Sequence, residues 1–246
     1  MYILSLLLSL TLFVGPVFAE SSPLESLCGA SSFIKVNDFK GDKNFPRYFV
    51  RARKKAVAVI IRNGRKRFCT GTMISKDLML TARHCVEYKR PDNLTVAFNY
   101  ELDRKANASK EYIYEVEKFL ELGGKDRLDY AIIKIKGRPG LMHGYNKLAS
   151  KNTSIEDGDP ILLLQHPDGQ PLQLDVGEVK NTSDKFIEYD DLDTLGGSSG
   201  AGLLNKKGKI IGVHVLGGCF KVGGSNKAVS IEAIRNSSTL LEEENL

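Results

Sequence analysis

The chain has 246 residues, 42% of them hydrophobic and 26% charged, proportions that exclude wholesale disorder and a polytopic membrane protein and leave one or two compact domains. The formal net charge of +5 is uneven, because nine basic and no acidic residues lie between Arg47 and Arg67 and the rest of the chain is slightly acidic. Four cysteines are too few for a small disulfide scaffold, but an even number suits two bridges in a chain that leaves the cytosol.

Residues 1–19 hold an apolar run from Ile3 to Val14, then Gly15-Pro16, and Ala19 before Glu20. They read as a cleavable signal peptide, although no Lys or Arg opens the run. The run is shorter than the ~20 apolar residues that span a bilayer, so the expectation is a secreted protein, extracellular or periplasmic, with no membrane anchor after cleavage. Residues 20–55 have no sustained period and read as an N-terminal arm or pro-segment. From Ala56, AVAVII, the dipeptide Asn63-Gly64 and RFCTGTMIS predict a hairpin with a primed turn, which needs the positive φ angles that Asn and Gly tolerate. LTVAFNY, YIYEVEKFLEL and DYAIIKI continue a series of short strands.

A Gly, Asn and Asp-rich interval around 137–159 divides the chain, and DPILLLQ, PLQLDVGEV, KFIEYD, AGLLN, KIIGVHV and KAVSI form a second series at barrel or sandwich spacing. The fold class is therefore all-β. Ile231, Ile234 and Leu241 recur at helical spacing and predict a C-terminal helix and tail over 231–246.

Acyl transfer by a nucleophile needs a hydroxyl or thiol, a base, a carboxylate that orients the base, and amide donors for the oxyanion. LTARHC places His84 just past an apolar strand beside Cys85, and a Cys69–Cys85 bridge would pin the loop that presents it. Asp129 heads the strand in LDYAIIKI. DTLGGSSGAGLLN is a Gly-rich turn with two serines, whose glycines permit the tight backbone that aims amides at one point. Each part alone has an ordinary reading as a surface, cap or loop residue. A metal site drawn from Cys69, His84, Cys85, His214 and Cys219 lacks structural-zinc spacing, and no metal or cofactor is expected.

Together, CTGTMIS with LMLTARHCV, LDYAIIKI, and TLGGSSGAGLLN with IIGVHVLGG resemble the histidine, aspartate and serine blocks of the chymotrypsin-like serine proteases, over roughly residues 55–235. The resemblance implies two six-stranded antiparallel β-barrels, over 56–145 and 146–230, with the active site between them. It also implies His84 as general base then acid, Asp129 as its orienting partner and Ser199 as nucleophile, with the amides of Gly197 and Ser199 as oxyanion hole. Ser198 competes with Ser199, although the G-x-S-G form ending in Gly200 favours Ser199, and Asp126 is the alternative acid.

Within that family the chain resembles the bacterial glutamyl endopeptidase (V8-like) branch. There a Thr five residues before the nucleophile and a His fifteen after it contact the P1 side chain, on the acyl side of the scissile bond. Thr194 and His214 sit at those offsets, which implies a preference for Glu or Gln, with a substrate carboxylate favouring protonated His214. Two rivals stand beside this reading: Asp193 selecting Lys or Arg, and a protease-like binding module without turnover. Arg83 beside His84 is expected to face solvent.

No I-V-G-G start is present, and RARKK (51–55) is a candidate processing site whose cleavage would free an amine for the pocket. Cys28 and Cys219 pair by elimination. The basic stretch reads as a solvated face plus that processing signal, so the expected partners are polypeptide substrates rather than nucleic acid, and the protein is expected to be a monomer. Sequons at Asn93, Asn107, Asn152, Asn181 and Asn236 matter only in a eukaryotic secretory pathway.

Overall fold

The computed structural model describes residues 27–220 and 223–243, so the signal peptide expected over 1–19 lies outside the described residues. No described helix is long and apolar enough to cross a membrane. The described arm carries a short strand, β1 (Ile34–Lys35), and a helix, α1 (Arg47–Arg53). The first series of strands is β2 (Val57–Arg62), β3 (Lys66–Met73), β4 (Leu78–Thr81), β5 (Leu94–Phe98), β6 (Tyr112–Leu122) and β7 (Ala131–Ile135). They close into an antiparallel barrel in the order β2-β3-β4-β7-β6-β5. Asn63 and Gly64 turn the first hairpin with φ of 51° and 65°, the two positive angles of the primed turn. Along β2 alternate residues serve opposite faces: Ala58 and Ile60 enter the main core, while Val59 and Ile61 pack with Ala97 and Tyr100.

The second series differs from the expected closed barrel. It comprises β8 (Pro160–Gln165), β9 (Gln173–Glu178), β10 (Asn181–Thr182), β11 (Phe186–Tyr189), β12 (Gly202–Asn205), β13 (Ile210–Leu216), the short pair β14 (Cys219–Phe220) and β15 (Gly223–Gly224), and β16 (Asn226–Ser230). Eight strands form an open sheet in the order β1-β9-β8-β12-β13-β16-β11-β10. Its edges do not meet, because β1 from the arm caps β9 at Ile34↔Leu174 and β10 caps β11. Where β9 passes the end of β11, a side chain replaces the missing ladder: the Asp191 carboxylate accepts the Glu178 N–H at 2.9 Å.

The C-terminal helix is also broken in two. α4 (Ile231–Ser237) is capped by the Ser230 hydroxyl, which accepts the Ala233 N–H at 3.1 Å, and α5 (Leu240–Glu243) follows a break. Ser238 leaves helical geometry at φ −83° and ψ 126° and its hydroxyl caps the second piece through Leu241 N–H at 3.0 Å.

The arm is part of the core rather than an appendage. Val36, Phe39, Phe45 and Val50 join one continuous apolar cluster that runs through both sheets. RARKK lies in α1 and the turn after it, with Val50 and Ala56 buried on either side and Lys54 paired with Glu101. Cleavage there needs an extended strand, so it would require this packed helix to unfold. Phe45→Ala is expected to cost about 3–5 kcal/mol, read as a lower urea midpoint at unchanged slope; a neutral substitution would show that the arm is dispensable.

Candidate active site

β4 ends at Thr81, and the chain turns at once into a four-residue helix, α2 (Arg83–Val86), that presents His84. The Cys69–Cys85 bridge fastens this helix to β3. The Asp129 carboxylate grips His84 twice, accepting ring Nδ1–H at 2.7 Å and the backbone N–H at 3.0 Å. This fixes the Nδ1–H tautomer and leaves Nε2 as the acceptor. Burial would raise the Asp129 carboxyl, but the hydrogen bonds and charge of His84 outweigh it and hold the group below its ordinary value. Asp126 is exposed, and its N–H is tied to the Ser237 hydroxyl. Arg83 is not solvent-facing as expected; its side chain is largely shielded, pairs with Glu87 and reaches the Arg127 carbonyl.

The two serines of the Gly-rich turn separate clearly. Ser198 is fully buried, its N–H on Leu195 O at 3.0 Å and its hydroxyl accepting Leu195 N–H at 3.1 Å. Ser199 instead lines a cleft of about 430 Å³ together with His84 and Gly197. The carbonyls of this turn are all tied back. Gly196 O accepts Asp168 N–H, Gly197 O accepts the Thr70 hydroxyl at 2.8 Å, and Ser199 O accepts the Thr70 N–H at 2.9 Å. Among the described residues nothing accepts the N–H of Gly197 or Ser199. Gly197 and Gly200 have φ of 98° and 88°, and a Cβ on either would strike backbone, His166 O at 2.5 Å and Thr70 O at 2.2 Å. Thr70, His166 and Asp168 were not singled out from the sequence, because their partners lie far along the chain.

Thr194, on the connection between β11 and β12, and His214, on β13, are buried and do not line this cleft. His214 lies near enough to His84 and Asp129 to feel their charges. Its Nδ1 is 2.6 Å from the Tyr189 hydroxyl. Burial pushes that hydroxyl far up, so it keeps its proton and donates, leaving His214 with Nε2–H. Burial lowers His214 itself to about 3, so it is a neutral donor, not the cation that the sequence reading associated with a bound carboxylate.

Asp193 is engaged by the arm. Its carboxylate accepts the N–H of Cys28 at 2.7 Å, the N–H of Ser32 at 2.6 Å and the Ser32 hydroxyl at 2.9 Å. The Cys28–Cys219 bridge closes the same corner. Cys69 and Cys85 lie beside His84, but their sulfurs are joined to each other and are not thiolate ligands.

His166 is buried; its Nδ1–H donates to Gln170 O at 2.9 Å while Nε2 has no hydrogen-bond partner. Burial lowers it to about 4. The unfolded chain therefore binds protons that the fold refuses, so stability is full above about pH 6.5 and falls as pH drops toward the folded values. Urea midpoints are expected to fall between pH 7 and 4.5, and His166→Gln to remove about 2–3 kcal/mol of that fall; an unchanged pH slope in the variant would refute the assignment.

Comparison with known proteins bears on the family and the fold. Exfoliative toxin A of Staphylococcus aureus is 28% identical over 155 residues, which are 59% of this chain and 55% of that protein. The chain thus spans little more than half the length of that relative. The solved structure of a Glu endopeptidase in complex with MPD superposes with a TM-score of 0.60 at 21% identity, over 87% of this chain and 95% of that one, so the two share a fold. The family description "trypsin-like peptidase domain" matches residues 69–213, more than half of the chain, and the protein belongs to that family.

Proposed function

We propose that the protein is a secreted serine endopeptidase with a preference for Glu or Gln at P1. The observation that carries the catalytic reading is the Asp129–His84 pair beside Ser199 in one cleft, with the amides of Gly197 and Ser199 unclaimed. Ser199 Oγ attacks the scissile carbonyl while His84 Nε2 takes its proton, and Asp129 stabilises the imidazolium. The oxyanion is met by the two amides, worth roughly 3–4 kcal/mol per donor. Collapse breaks the C–N bond, His84 returns the proton to the departing amine, and water repeats the cycle on the ester.

The P1 preference rests on His214, held by Tyr189 as a neutral N–H donor, and on Thr194 at the matching offset from Ser199. A neutral donor suits the oxygen of glutamine directly. For glutamate, the incoming charge raises the His214 pKa. The engagement of Asp193 with the arm weighs against Lys or Arg selection. Secretion is supported by the leader-like sequence and two disulfides.

A fluorophosphonate is expected to label Ser199 in the wild type and not in Ser199→Ala. Asp129→Asn is expected to lower kcat by about 10⁴. No labelling of disulfide-bonded wild type would leave the binding-module rival. With peptides randomised at P1, Glu and Gln are expected to lead, and His214→Val to erase that lead by about tenfold while a Leu substrate is little changed. A lead for Lys or Arg would reverse the roles given to His214 and Asp193.

A further inference from the structure

The basic run Arg47–Arg67 is not simply a solvated face. Arg62, Lys66 and Arg67 line the cleft that holds His84 and Ser199, and Lys89, just past α2, joins them. Phe68 is their shared platform, with the Arg62 guanidinium 5.7 Å and the Lys89 ammonium 5.4 Å from its ring centroid. Arg67 is already neutralised by Glu111, through hydrogen bonds of 3.0 and 2.8 Å. Among the described residues Arg62, Lys66 and Lys89 form no ion pair, and Asp168 is the only carboxylate residue lining the same cleft. Burial, and after it the charge of Arg62, lowers the Lys89 ammonium, with Glu87 offsetting only part.

Place in the cleft decides what these cations would meet. The cleft contains Ser199 and Gly197 but neither Thr194 nor His214. On the peptidase reading the P1 side chain is directed to those two residues, which leaves the wall of Cys69 and Phe68 for the amine half of the substrate. We propose that this wall is a basic subsite that selects Asp or Glu among the first residues after the scissile bond; the inference rests on the peptidase reading above. An acidic peptide fits better than a nucleic acid: the Phe68 ring already carries two cations, which would compete with a stacking base, and Asp168 would oppose a continuous line of phosphates.

The test is made in two arms. In the first, fluorescein-labelled peptides representing the amine half, Ala-Asp-Glu-Asp and Ala-Asn-Gln-Asn, are titrated onto Ser199→Ala protein by anisotropy. The acidic peptide is expected to bind about tenfold tighter at low salt. Both 0.5 M NaCl and the Arg62→Gln/Lys66→Gln double variant should bring the two affinities together, and Asp168→Asn should widen the difference. In the second arm, wild-type cleavage of substrates with a common acyl half should show the same preference in kcat/KM through KM, and the double variant should lose that preference.

Equal binding of the two peptides would overturn the proposal, as would an oligonucleotide of equal charge that binds tighter than the acidic peptide. Charge-selective binding without turnover of either substrate would keep the subsite and count against the peptidase reading alone.

Discussion

Thr70 joins the two sheets at the point where the reaction geometry is set. It belongs to β3 of the closed barrel, yet its N–H holds Ser199 O and its hydroxyl holds Gly197 O while accepting the His166 N–H at 3.0 Å. The planes that carry the amides of Gly197 and Ser199 are set by the bonds beside this clamp: Gly196 O accepts the Asp168 N–H and Ser198 O accepts the Ala201 N–H at 3.0 Å, so each N–H faces the other way, while Thr70 pins the two neighbouring planes. The grip works only at close range. Thr70 O and the Thr81 hydroxyl lie where a Cβ on residue 200 would be, and this is why a glycine stands there. Thr81 completes the knot by donating to Thr70 O at 2.7 Å. The barrel therefore supplies His84, Asp129 and the clamp, and the open sheet supplies the turn that is clamped.

A second corner is built on the same principle, with the arm in place of the barrel. Asp193 and Asp175 face one another across Ser32, and Asp175 also accepts the Asp193 N–H at 3.0 Å. Burial, chiefly, raises the Asp175 carboxyl, with the neighbouring Asp193 adding to it. Two carboxylates so close are tolerable because amides and a hydroxyl of the arm surround them. The acid that could have read a basic side chain is thereby spent on structure, and the arm becomes a wall of the second sheet as well as a strand on its edge.

What the sequence made legible follows from the range of the interactions involved. Alternation along Val57–Ile61, the Asn63-Gly64 turn and the strand blocks around them are local, and they appear in the structure where they were expected. The blocks around His84, Asp129 and Ser199 were legible because each has a local setting of strand, helix or glycines. The preference of Ser199 over Ser198 became physical only when Ser198 was seen to bond within its own turn. The open edge of the second sheet was not legible, because it depends on β1, a two-residue strand with no period of its own. Nor was the break in the C-terminal helix: Glu121, far away in β6, accepts the N–H of Thr239 and Leu240 and so makes a non-helical turn affordable. Thr70 and the orientation of Asp193 were hidden for the same reason, with partners more than a hundred residues away.

Charge is distributed across the cleft in a way that solvation explains. On the acyl side, a cation buried where His214 lies would lose its hydration with no counter-charge in place, and the ring responds by staying neutral. In the proposed P1 site recognition would come from a directed N–H donor, which is short-ranged and reads shape. On the leaving-group side Arg62, Lys66 and Lys89 keep access to water, so their charge is retained at little cost and acts over about a Debye length. Such groups draw in and align a chain before contact more than they tighten it afterwards. On the proposed reading the P1 site and the cleft would discriminate by different physics, one by fit after burial and one by field before it. The boundary between them falls at Ser199, where the Thr70 clamp holds the backbone still.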